Sequence, residues 1–530
     1  MPELTWTGKS AVKNHHESVP FRLLKPEPNL SLPQGASSLS EKGNLLVQGD
    51  NLLALKALLP YYAGQVKCIY IDPPYNTGNE GWVYNDNVNS AEMKEWIHKT
   101  VGKEAEDLNR HDKWLCMMYP RLQLLKQFLR DDGVIFISID DNEISNLTIA
   151  ANEIFGTSNL LGNFIWRRRP VPDARNLTGI STDHEYVLCY GKGKAKNFKF
   201  RGSEKDLSKY SNPDNDPRGL WMSDNLTGLA NERERPNLHY DLIDPKTGKI
   251  YKPNLSRGWS AGKDRMQMLI TENKILWPKS DSGRPRLKRF ITDMQSDTTG
   301  FSTILTSATN VEGSKEQVSI FGEKVFAFPK PVGLIKDLLR QVSSDNDLVL
   351  DSFAGSGTAG HAVLGLNKDD GGNRRFILVE MDSHIASNIT AERLRRVASG
   401  YGDMPGLGGE FTFCTLGETL LEPAGAINPK VSWGELARHI FFSETGTAIS
   451  GALDESTGLL GVHNGTAYYL LWKGDGTGAL TNKSLKTLAP HPDGEGQPRV
   501  VFAEACLIAP GRLATEGILF KQVPYEVKTR

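Results

Sequence analysis

The chain has 530 residues, of which 39% are hydrophobic and 24% charged, and its formal net charge is −1 at pH 7. This is the composition of a soluble globular protein of several domains. No apolar run reaches the length of a membrane span, and the five cysteines lack metal-ligand spacing. We therefore expect a cytoplasmic protein with reduced thiols, no metal site and no membrane partner. Because the net charge is near zero, a nucleic-acid surface must be sought as a local patch.

The first regular pattern follows a polar leader, residues 1–44, which we predict to be an N-terminal arm. A strand is predicted at 45–48 and a helix at 52–59. The turn between them contains Asp50 and Asn51.

The next strand, predicted at 66–71, ends at Asp72-Pro73-Pro74-Tyr75. Proline has no N–H and restricts the residue before it, so the chain leaves this strand as a stiff arch. The arch presents the Asp72 carboxylate, the Pro73 carbonyl and the Tyr75 ring at the C-terminal edge of a sheet, where ligands bind in open α/β folds. The alternative interpretation is an ordinary strand exit built on an Asp-Pro turn.

The three groups of this arch suit chemistry on an exocyclic amine of a nucleobase. Such an amine is a poor nucleophile, because its lone pair is delocalised into the ring. Two acceptors on its N–H groups would localise the lone pair, and Asp72 and the Pro73 carbonyl are candidates for that role. The Tyr75 ring is available to stack on the flat base.

The alternation of strands and helices continues beyond the arch. A helix is predicted at 113–130, a strand covered on both faces at 134–139, and a second helix at 144–155. This alternation predicts a parallel α/β sheet. The polar segment 78–100 is predicted to be a loop on the substrate side.

The alternation stops at residues 167–320, where basic and aromatic residues are interleaved. Between 167 and 201 there are nine Lys and Arg residues against three Asp and Glu residues. This pattern favours a nucleic-acid surface, and a solvated charged face is the alternative. The candidate DNA-contacting residues are Arg167, Arg168, Arg169, Arg175, His184, Arg284, Arg286 and Lys288.

The α/β pattern returns at 321–410. A helix is predicted at 332–342, and a strand then leads into a loop that runs from Asp351 to Thr358. A further helix and a strand that ends at Glu380 complete the layout of an adenosine-binding βαβ unit. The tail, 411–530, is predicted to be a small separate α+β domain.

The arch together with the loop Asp351-Ser352-Phe353-Ala354-Gly355-Ser356-Gly357 resembles the amino-type DNA methyltransferases that use S-adenosylmethionine. The catalytic loop precedes the cofactor loop, which resembles the β class of adenine-N6 enzymes. Several further stretches are similar to the modification (Mod) subunit of Type III restriction systems. The resemblance implies a Rossmann-like methyltransferase sheet with circularly permuted motif order, made of a catalytic half (45–166) and a cofactor half (321–410). The insert 167–320 would then recognise the target.

Roles for individual residues follow from this resemblance. Asp72, Pro73 and Tyr75 would hold a flipped adenine, with Pro74 shaping the loop. Ala359 stands where a threonine is common, one step into the helix. The cofactor would be bound by Asp50, Asn51, Lys330, Pro331, Asp351, Phe353, Gly355, Gly357, Thr358 and Glu380.

Two other functions are compatible with the same motifs. Methylation of cytosine N4 uses a similar geometry, but the usual loop there begins with Ser rather than Asp72. A DNA-specificity subunit with a relic fold is the second, and the intact Asp72, Tyr75 and Glu380 argue against it. The expected partners are double-stranded DNA, a second copy of the chain and a separate ATP-driven restriction subunit docked on 411–530. Gly8-Lys9-Ser10 lacks the upstream glycine of a complete phosphate loop.

Overall fold

The computed structural model of the protein describes residues 5–35, 42–77, 110–174, 178–280, 282–488, 490–494 and 496–527. The predicted loop 78–100 and Arg175 lie outside these residues. The chain divides into two compact units: Gly202–Phe301, and Met1–Arg201 together with Ser302–Arg530. Within the described stretches, none of the helices has the length and apolarity needed to cross a membrane.

The larger unit is built on a ten-stranded mixed sheet. In chain order its strands are β1 Arg22–Pro26, β2 Asn44–Gln48, β3 Val66–Ile71, β4 Leu129–Ile139, β5 Leu160–Arg167, β6 His184–Gly191, β7 Ile304–Leu305, β8 Leu348–Asp351, β9 Arg375–Glu380 and β10 Phe411–Thr419. Their spatial order is β1-β10-β2-β9-β8-β3-β4-β6-β5-β7. The strands from β10 to β4 in this order are mutually parallel, whereas β6 is antiparallel to both of its neighbours.

Helices cover this sheet and bury the apolar strands. The principal ones are α1 Asn51–Tyr62, α2 Arg110–Phe128, α3 Ile144–Phe155, α4 Asn310–Phe321, α5 Val332–Val342, α6 Thr358–Asp370, α7 Ala391–Ser399 and α8 Trp433–Thr445. Every residue of β8 is buried, as expected for a strand covered on both faces. The predicted parallel α/β sheet is confirmed.

The two motif-bearing strands are neighbours at the centre of the sheet. Strand β3 pairs in parallel with β8, with Cys68 opposite Val349 and Ile69 opposite Leu350. Because parallel strands end at the same edge, Asp72 and Asp351 emerge side by side.

The N-terminal segment is part of the fold and differs from the predicted arm. Strand β1 pairs antiparallel with β10, and Trp6, Val12, Val19 and Phe21 are buried in the same core as α1. Its short helices are Lys9–Val12 and His15–Ser18. The reason for the difference is that a few apolar side chains are enough to anchor a mainly polar segment when a sheet edge is available to it.

The C-terminal residues are likewise continuous with the larger unit. Strand β10 adds directly to the main sheet, and α8 contributes Leu436 and Ile440 to the main core. The predicted domain start at 411 therefore falls on a sheet strand. Beyond it lies a second, four-stranded sheet of Leu459–His463, Thr466–Leu471, Arg499–Ala503 and Ile518–Gln522.

The smaller unit, Gly202–Phe301, is shorter than the predicted insert 167–320. Residues up to 201 and from 302 onward belong to the larger unit, because β5, β6 and β7 extend its sheet. The smaller unit has its own core around Trp259 and the helix Lys263–Thr271. Its principal sheet contains Trp221–Asn225, Ile275–Leu276 and Arg286–Phe290.

Candidate active site

The loops after β3 and β8 line one small pocket at the C-terminal edge of the sheet. Asp72 comes from the first loop, and the second supplies Asp351, Phe353 and Gly355. Lys330, which precedes α5, completes this set. Residues that the sequence assigned to catalysis and to the cofactor therefore meet in one place.

The Asp72 carboxylate is held in a polar cluster. Asp72 Oδ1 accepts hydrogen bonds from the Tyr75 hydroxyl at 2.8 Å and from Lys330 Nζ at 2.9 Å. Lys330 Nζ also donates to the Tyr75 oxygen at 2.7 Å and lies 3.3 Å from Glu185 Oε2. The other oxygen of Glu185 lies 3.3 Å from Arg168. The cluster thus contains two acidic side chains, Asp72 and Glu185, and two basic side chains, Lys330 and Arg168.

The charged side chains of this cluster shift the pKa values of Lys330 and Tyr75. Burial lowers the pKa of the Lys330 ammonium, but the neighbouring Asp72 and Glu185 carboxylates more than compensate, so its pKa is raised. Burial and the same two carboxylates raise the pKa of Tyr75 well above its ordinary value. Lys330 is therefore an ammonium and Tyr75 a neutral phenol near pH 7.

The arch itself is fixed by helices α2 and α3. The Trp114 indole donates to the Pro74 carbonyl at 2.6 Å. Asn76, with φ 58°, donates to the fully buried Glu143, which also lies 2.7 Å from His111 Nδ1. These contacts fix the loop within the protein, and fixed polar groups are what preorganisation of an active site requires.

The cofactor loop is shaped by glycines and by Glu380. Gly355 and Gly357 have φ values of 50° and 79°, a region that other residues rarely adopt. Glu380, which is 1% exposed, accepts from the Gly355 N–H at 2.9 Å and from the Asp382 N–H at 2.9 Å. Burial raises the pKa of Asp351 well above its ordinary value, although the Phe353 N–H offsets part of the rise.

Asp50 and Asn51 stand behind the pocket rather than in its lining. Asp50 caps α1 by accepting from the N–H groups of Leu52 and Leu53 and forms a 2.8 Å ion pair with the buried Arg121. Asn51 donates to the Ser352 carbonyl at 3.2 Å. Thr358 donates to the Lys330 carbonyl at 3.2 Å, and Pro331 precedes the first residue of α5.

The pocket has the features of a cradle for an adenosine-containing cofactor. Ser352 Oγ is buried and has no hydrogen-bond partner among the residues that the structure describes. The positive φ of Gly355 lets backbone approach a ligand closely. The buried Asp351 lines the pocket, and the buried Glu380 accepts from the N–H of the lining residue Gly355. Carboxyl groups at the ends of such strands are acceptors of the kind that ribose and amine groups use.

The basic residues predicted to contact DNA fall into two groups. Arg167, Arg168, Arg169 and His184 lie at the ends of β5 and β6 in the larger unit, where Arg169 forms a 2.6 Å ion pair with Asp173. Arg167 donates to the Pro170 carbonyl at 2.8 Å, and His184 Nε2 is 3.0 Å from the Tyr186 hydroxyl.

The remaining candidates belong to the smaller unit. Arg284 is exposed, and Arg286 is exposed while donating to Ser223 Oγ at 2.6 Å. Lys288 differs from the prediction: it is 4% exposed and forms ion pairs with Asp214 and Asp216. Sequence reasoning identified its charge but not the acids that neutralise it inside the unit.

Several residues of the site were not assigned a role from the sequence. Glu185, Trp114 and Arg121 each contact a predicted functional residue that is distant along the chain. Glu143 instead contacts Asn76, the residue that follows the arch. For Glu185 a signal exists, because an acid within the apolar run of β6 needs a partner.

In α/β proteins with a parallel sheet, ligands bind in loops at the carboxyl ends of the strands. The two motif-bearing loops of this chain lie at that edge, so its fold is that of a ligand-binding α/β protein. The family model described as DNA methylase matches residues 66–392, more than half of the chain. The chain therefore belongs to the DNA methylase family.

Relatives of this chain include restriction-modification proteins. It is 34% identical over 363 residues to the Type III restriction-modification enzyme StyLTI Mod subunit of Salmonella typhimurium (strain LT2). This alignment covers 66% of the present chain and 54% of the Mod subunit. It is 31% identical to the EcoP15I Mod subunit of Escherichia coli, covering 72% and 64%. It is 32% identical to the Type II methyltransferase M.KpnI of Klebsiella pneumoniae, covering 71% and 93%. The chain thus spans between about half and two thirds of the length of these Mod subunits.

Proposed function

We propose that this chain transfers the methyl group of S-adenosylmethionine to N6 of a flipped adenine in duplex DNA. The observation that carries the proposal is the single pocket lined by Asp72 and by the Asp351–Gly355 loop. An acceptor for an amine lies there beside a cradle for a nucleoside cofactor. Membership of the DNA methylase family supports the same activity.

The mechanism requires alignment more than a strong base. S-adenosylmethionine supplies an electrophilic methyl group, and the glycine loop, Glu380 and Ser352 are the residues that would hold it. Asp72 and the Pro73 carbonyl accept the two N–H bonds of the base amine and aim its lone pair. The Tyr75 ring stacks on the base. Positioning of this kind accounts for a large part of the barrier reduction in two-substrate reactions.

Adenine is favoured over cytosine by the residue that begins the arch. Asp72 lies 2.9 Å from the Lys330 ammonium, and a carboxylate in this position is a strong acceptor for an amine N–H. The relic alternative is disfavoured because a chain without catalysis has no need of the contacts that fix the arch.

The target base must leave the duplex, at a cost of a few kcal/mol. Phosphate contacts from basic residues offset this cost, and Arg167, Arg169, Arg284 and Arg286 are the candidates. We infer that the smaller unit, Gly202–Phe301, reads the target sequence. We expect the protein to act on DNA in the cytoplasm.

For partners, the Mod-subunit relatives favour a modification subunit of a Type III system that works with a separate restriction subunit. A stand-alone methyltransferase is the second candidate, because the chain spans 93% of the M.KpnI protein. We expect a homodimer in either case, as the resemblance to the β class implies. Light scattering on the purified chain tests the dimer.

The activity itself is tested with the purified chain, tritiated S-adenosylmethionine and host DNA. We expect label in DNA, with N6-methyladenine as the modified nucleoside on chromatography. Labelled N4-methylcytosine would identify the rival base, and unlabelled DNA would favour the relic. In parallel, the pure chain should not nick DNA with ATP, and nicking would contradict the division between subunits. Modified-base sequencing then gives the target sequence.

A further inference from the structure

Lys330 occupies the acceptor that the proposed reaction gives to the amine of the target base. Its Nζ lies 2.9 Å from Asp72 Oδ1, the oxygen placed to accept from a base amine. The same atom donates to the Tyr75 hydroxyl at 2.7 Å and lies 4.8 Å from the ring centroid, at the hydroxyl end of the ring on which the base would stack. An ammonium and an exocyclic amine are both N–H donors, so they compete for one acceptor.

A second set of contacts lies within reach of the same ammonium. Glu185 Oε2 is 3.3 Å from Nζ, and the centroid of the Trp166 ring is 5.7 Å away. The Trp166 indole is fixed by its hydrogen bond to the Ala308 carbonyl at 2.7 Å. The backbone of Lys330 is held by Thr358, but a lysine stem of four carbons lets Nζ shift without moving the main chain.

We propose that Lys330 is an internal placeholder for the target amine, and that Glu185 is the acceptor that takes its ammonium when the base enters. In the free chain the ammonium caps Asp72. As the base arrives, Nζ moves onto Glu185 and Trp166, and Asp72 is released for the amine. This inference rests on the proposed function.

The exchange removes an unfavourable electrostatic interaction from the methyl-transfer step. Positive charge develops on the base nitrogen as the new N–C bond forms, and an ammonium still bound to Asp72 would oppose it. Glu185 is therefore a positioning residue, which acts on the reaction through Lys330. The exchange also raises selectivity, because a base enters only if its own contacts outweigh those of the displaced ammonium.

A purely structural ion pair is the competing explanation. In that case Lys330 only neutralises two buried acids, and removing it weakens folding and base binding together. The two explanations predict opposite signs for base engagement. They are separated by Lys330→Met, which keeps most of the stem without the charge.

The experiment uses the full chain without cofactor and a duplex that carries the methylated sequence, with 2-aminopurine directly beside the target adenine. The adenine keeps its N6 amine, and the fluorescence of 2-aminopurine rises when its stacked neighbour leaves the duplex. We expect Lys330→Met to reach half-maximal fluorescence at about tenfold lower protein concentration than wild type. We expect Glu185→Gln to need about tenfold more protein, because the ammonium then stays on Asp72. Lys9→Met, which removes a similarly buried ion pair with Glu153 outside the site, is the matched control and should follow wild type.

The double variant Lys330→Met/Glu185→Gln keeps the charge balance and guards against misfolding of the single variant. In this double variant, Glu185→Gln should no longer raise the protein concentration needed for half-maximal fluorescence, because no lysine ammonium remains to bind at position 185. Equal or weaker engagement by Lys330→Met, or a Glu185→Gln penalty that persists in the double variant, overturns the placeholder. If wild type methylates the duplex, these results count against the placeholder alone; if it does not, the proposed function falls first.

Discussion

At the scale of single residues, the site depends on which groups donate hydrogen bonds to two carboxylates, Asp72 and Glu380. Asp72 is shared between a phenol and an ammonium, whereas Glu380 accepts from the backbone N–H groups of Gly355 and Asp382. In the proposed reaction, the first group exchanges its partners for a substrate. The second holds the loop that we propose binds the cofactor.

Replacing Asp72 by Asn tests the first role. The amide has nearly the same shape but lacks the charge that polarises an amine N–H, so we expect methyl transfer to fall by at least about 100-fold. Affinity for S-adenosylmethionine in calorimetry should stay close to wild type, because Asp72 faces the base. Single-turnover transfer near the wild-type rate would contradict the assignment.

Glu380→Gln tests the second role. Glutamine keeps one acceptor oxygen but turns an N–H₂ group toward the other backbone donor, so the Gly355 turn loses its anchor. We expect affinity for S-adenosylmethionine to weaken by about 1.5–3 kcal/mol, the range for a hydrogen bond to a charged group. Calorimetry measures this, with Glu392→Gln as the control, because Glu392 is a half-exposed residue of α7 that pairs with Arg395 and Arg396. Unchanged affinity would refute the role of Glu380 in binding.

At the scale of elements, the segment that carries Lys330 lies against helix α4. A Cβ at Gly313 of this helix would be well inside van der Waals contact of the Pro329 carbonyl oxygen. The backbone of 329–331 therefore depends on a glycine in the neighbouring helix, and the position of the Lys330 ammonium depends on it too.

Gly313→Ala should move this segment. We expect a loss of about 1–3 kcal/mol in unfolding free energy, as for other overpacked sites, together with slower methyl transfer. Gly434→Ala in α8 is the matched control, because a Cβ there meets nothing within 4 Å. That variant should be neutral or stabilised by up to about 1 kcal/mol. Chemical denaturation checks both, and similar effects of the two substitutions would contradict the packing argument.

The junction between α1 and the N-terminal segment makes a prediction about pH. Lys56 Nζ donates to the carbonyls of His16 and Glu17, and burial lowers its pKa from 10.5 to about 8. Since the folded-state pKa lies below the unfolded one, burying this ammonium destabilises the fold below pH 8. The destabilisation disappears as pH rises from 8 to 10.5.

The unfolding free energy of wild type relative to Lys56→Met should therefore rise by about 3 kcal/mol across that window. Urea denaturation at pH 7.5, 9 and 10.5 measures the difference, and using the variant as reference removes the titration of other groups. A difference that is flat with pH would show that the Lys56 ammonium is not buried in solution.

At the scale of the whole molecule, the smaller unit is built as an exchangeable insertion. Its ends, Ser203–Glu204 and Thr298–Thr299, pair as antiparallel strands, so the chain enters and leaves at one place. Its core is its own. A replacement with similarly spaced ends therefore needs no change in the main sheet.

Exchange of Gly202–Phe301 for the corresponding segment of a Mod-subunit relative should change the methylated sequence. Affinity for S-adenosylmethionine should be unchanged, because the loops after β3, β8 and β9 all lie in the larger unit. Modified-base sequencing of host DNA gives the outcome. A chimera that still methylates the original sequence would place recognition elsewhere, and Arg167 to Arg169 would be examined next.

Local signals in the sequence determined the elements and the two motif loops. The predicted strand at 66–71 coincides with β3, and the predicted helix at 144–155 coincides with α3. Proline and glycine act on their immediate neighbours, so the arch after β3 and the turn before α6 could be predicted without tertiary information. The joining of these loops in one pocket followed from the rule that parallel strands share an edge.

Only the tertiary structure determined which charged side chains contact one another. Lys330 reaches Asp72, Glu185 reaches Lys330, and Lys288 turns inward to two aspartates, all through contacts between residues far apart in the chain. It also decided that β1 joins β10 and that the smaller unit begins at 202 rather than 167. A charged side chain looks the same in sequence whether it faces solvent or a buried partner. The difference is set by strand order and register, which depend on the packing of the whole sheet.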